Sequence, residues 1–135
     1  ALDVAGRAIG MILELKVEGI GNEACAIVKR TGFPGPLIYA SFLMPELRRV
    51  RHTDPDAKIM VLQHRRLPPD PVADVVALDA SHVGLHFSTV TPMLLQTYHN
   101  LGRQVFVYTV NEPQDIQRMR NLGVDGIISD FPDRI

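Results

Sequence analysis

Apolar, often β-branched runs return along this chain at intervals of roughly 20 residues, with a helix-forming stretch after nearly every one. The candidate strands are Met11–Lys16, Leu37–Phe42, Lys58–Gln63, His82–Phe87, Gln104–Val110 and Asp125–Ser129. These runs are continuous rather than alternating, the pattern of parallel strands covered on both faces. Helices are expected near Asn22–Thr31, Pro45–His52, Asp74–Asp79 (weakly), Thr91–Leu101 and Pro113–Leu122. The breakers agree with this division. Gly32, Gly102 and Gly123 each follow a helix, where a left-handed residue ends it. Thr91-Pro92 and Glu112-Pro113 put proline in a first helical turn. Pro68-Pro69-Asp70-Pro71 is a stiff loop.

About six βα units therefore fill the chain, and repeated βα units build either an open doubly wound sheet or a closed eight-stranded barrel. No Gly-x-Gly-x-x-Gly run follows the first strand, which weighs against a dinucleotide fold. A barrel takes eight strands in typically about 250 residues. The expected fold is thus α/β, a partial TIM (β/α)₈ barrel lacking its first two strands, with residues 1–135 as the C-terminal portion of one barrel domain. Its terminal strands would carry open edges, so self-association is expected.

Composition bounds the function. A 46% hydrophobic content over 135 residues supports one core. A net charge of −1 leaves no basic footprint for nucleic acid. No apolar stretch reaches a membrane span, and the opening Ala1–Arg7 lacks the basic start and apolar middle of a signal peptide. The lone Cys25 sits in a helical Ala-Cys-Ala-Ile-Val stretch and reads as core packing rather than a nucleophile. Cytoplasm is the default compartment.

The chemistry concentrates in Glu14-Leu15-Lys16, at the end of the first strand. Alternation places Glu14 and Lys16 on one face. A carboxylate is a hard oxygen ligand suited to Mg²⁺ or Ca²⁺, and a lysine is a point charge suited to phosphate. Spacing alone allows equally a simple ion pair.

Further along, Val107-Tyr108-Thr109-Val110-Asn111 precedes Gly123-Val124-Asp125-Gly126-Ile127-Ile128-Ser129-Asp130-Phe131-Pro132. This resembles the C-terminal signature of the glycerophosphodiester phosphodiesterases, where a tryptophan-Thr-Val-Asn strand precedes a Gly-Val-Asp-Gly-Ile-Ile-Thr-Asp-x-Pro segment. Leu13-Glu14-Leu15-Lys16 is similar to that family's Glu-x-Lys strand, the third of its barrel, and Ala40-Ser41-Phe42 to its Ser-Phe strand, the fourth. The resemblance runs in order along the whole chain. It implies metal-dependent hydrolysis of glycerophosphodiesters to an alcohol and glycerol 3-phosphate, with Glu14 as one metal-ligating carboxylate, Lys16 facing the phosphate and Tyr108 walling the glycerol end of the pocket. The acid/base histidines and the other metal ligands follow the family's first two strands and have no match here, so the isolated segment is expected to be inactive.

Several residues keep rival readings. Tyr108 stands where the family has tryptophan, and ordinary packing accounts for it as well. Asn111 can donate to substrate, tie a loop or cap the next helix, and the cap is the favoured reading. Asp125 and Gly126 shape the entry to the last strand, and Asp130 anchors a turn. His64-Arg65-Arg66 is only superficially similar to the family's catalytic His-Arg pair, since no glycine follows and it lies after the fifth strand of the barrel. His52 and His99 are expected to face solvent. His82 and His86 share a strand face about 13 Å apart, too far for one ion. Two other functions stay open: a non-catalytic half-barrel binding a phosphate-bearing ligand or a partner chain, and an aldolase or isomerase, which the lack of a Gly-rich phosphate loop disfavours.

Overall fold

A computed structural model of the chain describes residues 9–135. The opening Ala1–Arg7, read above for a leader, lies outside the described residues. Two compact units are present, meeting between Val61 and Leu62.

The first unit holds β1 (Met11–Glu14), α1 (Gly21–Thr31), β2 (Leu37–Ser41), α2 (Met44–Thr53) and β3 (Lys58–Leu62), whose last residue falls across the division. Its strands are parallel and in sequence order. Glu14 pairs with Ala40 between β1 and β2, and Ala40 with Met60 between β2 and β3. That register puts Leu13, Tyr39 and Ile59 on one face of the sheet. Tyr39 reaches Cys25 of α1, so this is the face the helices cover. Leu47 and Val50 of α2 are buried beside it. Ile12, Glu14 and Lys16 stand on the opposite face of β1.

The second unit holds α3 (Ala73–Ala77), β4 (His82–His86), α4 (Pro92–Asn100), β5 (Gln104–Tyr108), α5 (Pro113–Leu122) and β6 (Gly126–Ile127). Again every pairing is parallel and sequential. Val83 and Leu85 lie level with Val105 and Val107, all four buried, as are Tyr98 of α4 and Met119 of α5. The other face carries His82, Gly84 and His86 beside Gln104, Phe106 and Tyr108.

Helix ends follow the local chemistry. Thr91 caps α4 by accepting the Leu94 N–H at 3.2 Å, with Pro92 in the first turn. Gly32 and Gly123 close α1 and α5 in the left-handed region, at φ of 60° and 86°. α3 is a single short helix of five residues, as its weak pattern foretold. β6 is shorter than the expected Asp125–Ser129. The Ile128 N–H still bonds the Val107 carbonyl at 2.8 Å, but Ser129 and Asp130 turn away to bind Asn111.

Candidate active site

Active sites of β/α barrels lie at the C-terminal ends of the strands, and the chemistry-bearing side chains here gather at such ends. In the first unit, β1 stops at Glu14 and the chain runs on through Leu15 and Lys16. Glu14 and Lys16 share the exposed face as expected, at 36% and 74% side-chain exposure, and Lys16 Nζ lies 3.7 Å from Glu14 Oε2. Without a ligand the two charges are paired with one another, and both remain open to an incoming group. The residue between them is clamped. The Leu15 N–H donates to the Ala40 carbonyl at 2.8 Å, and the Leu15 carbonyl accepts the Ser41 hydroxyl at 2.6 Å. Ser41 is fully buried and its oxygen also accepts the Leu43 N–H at 2.9 Å, so it is a structural donor and not a nucleophile.

Sequence reasoning missed Glu46. This carboxylate is fully buried on α2 and holds the loop that follows Lys16. It accepts the N–H groups of Gly19 and Gly21, each at 2.8 Å, and the Arg49 guanidinium at 2.6 Å. Hydrogen bonding from Gly19, opposed by burial and helped by Gly21 and Arg49, holds its pKa below the ordinary carboxylate range. Gly21 has to be glycine, because a Cβ there would lie 2.9 Å from the Glu46 carbonyl oxygen. The available signal was the Gly19-Ile20-Gly21 turn, which exposes N–H donors needing an acceptor. Cys25 is packed, and burial raises its thiol pKa, in keeping with the expected core role.

In the second unit Tyr108 ends β5. Its hydroxyl donates to the Gln63 carbonyl, and the His86 ring meets the Tyr108 ring edge-on with centroids 5.9 Å apart. Ser88 donates its N–H to His86 Nδ1 at 3.2 Å, so in the neutral ring the proton sits on Nε2. Burial, with the Arg65 charge adding, lowers the His86 pKa. His82 is buried beside Phe106 instead, with Ser81 Oγ 2.7 Å from its Nδ1.

Asn111 does not cap a helix. Pro113 occupies the first turn of α5, which makes Glu112 the flanking residue. The Asn111 side chain is engaged elsewhere: its oxygen accepts the Asp130 N–H at 3.0 Å and the Ser129 hydroxyl at 3.2 Å, and its amide donates to Asp130 Oδ2 at 3.0 Å. It ties the loop after β5 to the loop after β6, and Asp130 is the anchor expected of it. His99 is exposed on α4, as expected, and its Nε2 lies 2.8 Å from Asp125 Oδ2, an oxygen that further accepts the Val105 N–H at 2.7 Å. Asp125 thereby sets the entry to β6, and Gly126 clears the way, since a Cβ there would come within 2.7 Å of the Phe106 ring. His64, Arg65 and Arg66 lie exposed after β3.

A cluster of three or more His, Cys, Asp or Glu side chains able to hold a metal is absent among the described residues. Glu14 is an oxygen donor of the right kind for a hard divalent ion, and it is one donor of the several such an ion takes.

The sequence profile of the glycerophosphoryl diester phosphodiesterase family matches residues 10–134, nearly the whole chain. The chain belongs to this family. A glycerophosphodiester phosphodiesterase of Caldanaerobacter subterraneus subsp. tengcongensis is 29% identical over 117 residues, covering 87% of this chain and 48% of that protein. A protein of Silicibacter pomeroyi DSS-3, solved under the family name, superposes with a TM-score of 0.81 at 32% identity over 91% of this chain and 47% of its own. An Oleispira antarctica phosphodiesterase, solved with its product sn-glycerol 3-phosphate, gives a TM-score of 0.81 at 24% identity over 94% and 53%, a likeness of fold. The chain spans about half the length of the relatives it matches. The fold of this family member is a partial (β/α)₈ barrel, as its βα rhythm foretold.

Proposed function

We propose that this chain is the substrate-facing C-terminal portion of a single barrel domain that hydrolyses glycerophosphodiesters to an alcohol and sn-glycerol 3-phosphate. The observation that carries the reading is the exposed Glu14–Lys16 pair at the C-terminal end of β1, in a chain belonging to this family. Glu14 would ligate a divalent ion, Mg²⁺ or Ca²⁺, together with phosphate oxygens, water and carboxylates from outside the described residues. Such an ion, when bound, polarises the phosphoryl oxygens and lowers the pKa of a bound water. Lys16 would leave Glu14 for the phosphate, where its charge offsets the negative charge that develops on the equatorial oxygens. Tyr108 would wall the glycerol end, its ring held by the hydroxyl bond to Gln63. Asn111 would act on substrate through the loop it braces, with a donor to spare once Asp130 has taken one of its two amide hydrogens.

The acid and base histidines belong, on this reading, to the part of the barrel without a match in this chain, and the 135-residue segment alone is inactive. β1 pairs only with β2 and β6 only with β5 among the described residues, which supports association of isolated segments through these edges. No helix among the described residues is long and apolar enough to cross a membrane, and we assign the protein to the cytoplasm.

Release of glycerol 3-phosphate from glycerophosphocholine tests the function. In a chain carrying its complete barrel, Glu14→Gln lowers metal-dependent turnover by about two orders of magnitude or more. Full activity in that variant would remove Glu14 from the site. Turnover by the 135-residue segment would show that the unmatched strands are dispensable, and would overturn the assignment of acid and base. A half-barrel that only binds phosphate ligands would show neither activity nor metal dependence.

A further inference from the structure

Gln63 follows β3 and is buried, yet every polar atom it carries is bonded within the second unit. Its N–H donates to the Gly84 carbonyl of β4 at 2.9 Å. Its carbonyl accepts the Tyr108 hydroxyl. Its side-chain amide donates to the Pro71 carbonyl, and its side-chain oxygen lies 3.2 Å from Tyr98 Oη. Tyr98 Oη also lies 2.8 Å from the Pro71 carbonyl, so its single proton is shared between two acceptors. Tyr98 comes from α4 and is fully buried. Burial pushes its pKa up to about 12, so the phenol remains a donor. Apolar side chains would fill the same space without the desolvation cost that these polar groups carry. A fully satisfied buried polar network fixes one arrangement instead.

What it arranges is a loop and a ring. Residues 64–70 leave Gln63 and return at Pro71, where the amide and the phenol grip the same carbonyl. Pro68, Pro69 and Pro71 stiffen the returning half. Tyr108 is the last residue of β5, level with His86 in the ladder. A tyrosine ring is placed by two side-chain dihedral angles. With the main chain fixed in the ladder and the hydroxyl fixed at Gln63, both angles are set, and the half-buried ring stands edge-on to His86 at a centroid distance of 5.9 Å. The hydroxyl holds the ring only as firmly as Gln63 itself is held. Tyr98 is therefore the far end of a run of bonds that passes through Pro71 and Gln63 and finishes on the Tyr108 ring.

We infer that Tyr98 is a positioning residue for substrate: buried away from it, Tyr98 acts through Gln63 to fix the angle at which the Tyr108 ring meets the glycerol end. The inference rests on the proposed function, which supplies the substrate at that ring, and extends it to a residue beneath a loop.

Two measurements on a chain carrying its complete barrel test this. The first is steady-state release of glycerol 3-phosphate from glycerophosphocholine. Tyr98→Phe keeps the ring and drops the hydroxyl. It raises KM about fivefold, the contribution of one neutral hydrogen bond, and leaves kcat within about twofold. Tyr108→Phe cuts the last bond of the run and raises KM to a similar extent, and the double variant is no worse than Tyr108→Phe alone. Gln63→Met breaks the knot from its other side and repeats the KM rise, which keeps the test open where Tyr98→Phe does not fold. The second measurement needs no substrate. Trypsin cuts after the exposed Arg65 and Arg66 about fivefold faster in Tyr98→Phe, with its other sites unchanged, because the loop opens more often. An unchanged KM in Tyr98→Phe overturns the inference and leaves the proposed function standing. So do KM losses that multiply in the double variant, which would mean that Tyr98 acts by another route, and so does an unchanged rate of cutting. Absence of hydrolysis by the wild-type chain overturns the proposed function and the inference with it.

Discussion

The buried hydroxyl of Ser41 donates to the carbonyl of Leu15 at 2.6 Å, gripping the one residue that separates Glu14 from Lys16. Ser41 therefore governs the direction in which both charged side chains leave the strand, although it touches neither. Ser41→Ala removes the donor and leaves a buried carbonyl short of a partner, at a cost of about 1–3 kcal/mol. The expected outcome is a lower midpoint in urea together with a fall in kcat in a chain with its complete barrel, with KM less affected. Ser41→Thr keeps the donor and recovers part of the activity. A variant with wild-type kcat and lowered stability alone would confine Ser41 to packing.

Glu46 supplies a pH signature. Its folded pKa is lowered from the ordinary 4.5, chiefly by the Gly19 N–H. A group depressed in the folded state contributes stability that is fully present above its unfolded pKa and is lost as pH falls through the folded value. Between pH 7 and pH 5 the contribution is flat, and below about pH 4.3, where the unfolded carboxyl protonates, it declines. Glu46→Gln costs about 1–3 kcal/mol at neutral pH, because hydrogen bonds to a charged acceptor are exchanged for weaker ones. The difference in unfolding free energy between wild type and Glu46→Gln narrows as the pH drops below 4. A gap that stays constant from pH 7 to pH 2.5 would mean that folding leaves the Glu46 carboxyl pKa unshifted.

The strand order and most helix limits were readable in the residues because a parallel βα repeat writes them in local terms: continuous apolar runs, prolines in first turns, glycines past the last. α5 needed nothing beyond that, while β5 ends at Tyr108, two residues before its apolar run does. The end of β6 was not readable, since Ser129 and Asp130 leave the ladder for Asn111, a residue 18 positions away. The role of Asn111 was misjudged for the same reason. A helix cap is a local rule, and the side chain instead answers a distant loop. Glu46 was invisible as a candidate because its donors are backbone groups 25 and 27 positions earlier. Glu14 and Lys16 were legible as a pair, since strand alternation alone brings them to one face.

Gly126 is decided by Phe106. The two lie level across β5 and β6, and an added Cβ would fall within 2.8 Å of three ring atoms. The ring is half-buried, with the buried His82 imidazole packed edge-on against it at a centroid distance of 5.4 Å. Gly126→Ala therefore forces the strand, the ring or both to move, at about 1–3 kcal/mol for overpacking. Removing the obstacle tests the cause. In Phe106→Leu the alanine should fit at a smaller penalty, so the double variant is more stable than the sum of the two single losses. A double-mutant cycle by urea unfolding reads that coupling directly, and contacting residues typically show about 0.5–3 kcal/mol of it. Strict additivity would mean that Gly126 is required for its backbone conformation and not for the space it leaves to Phe106.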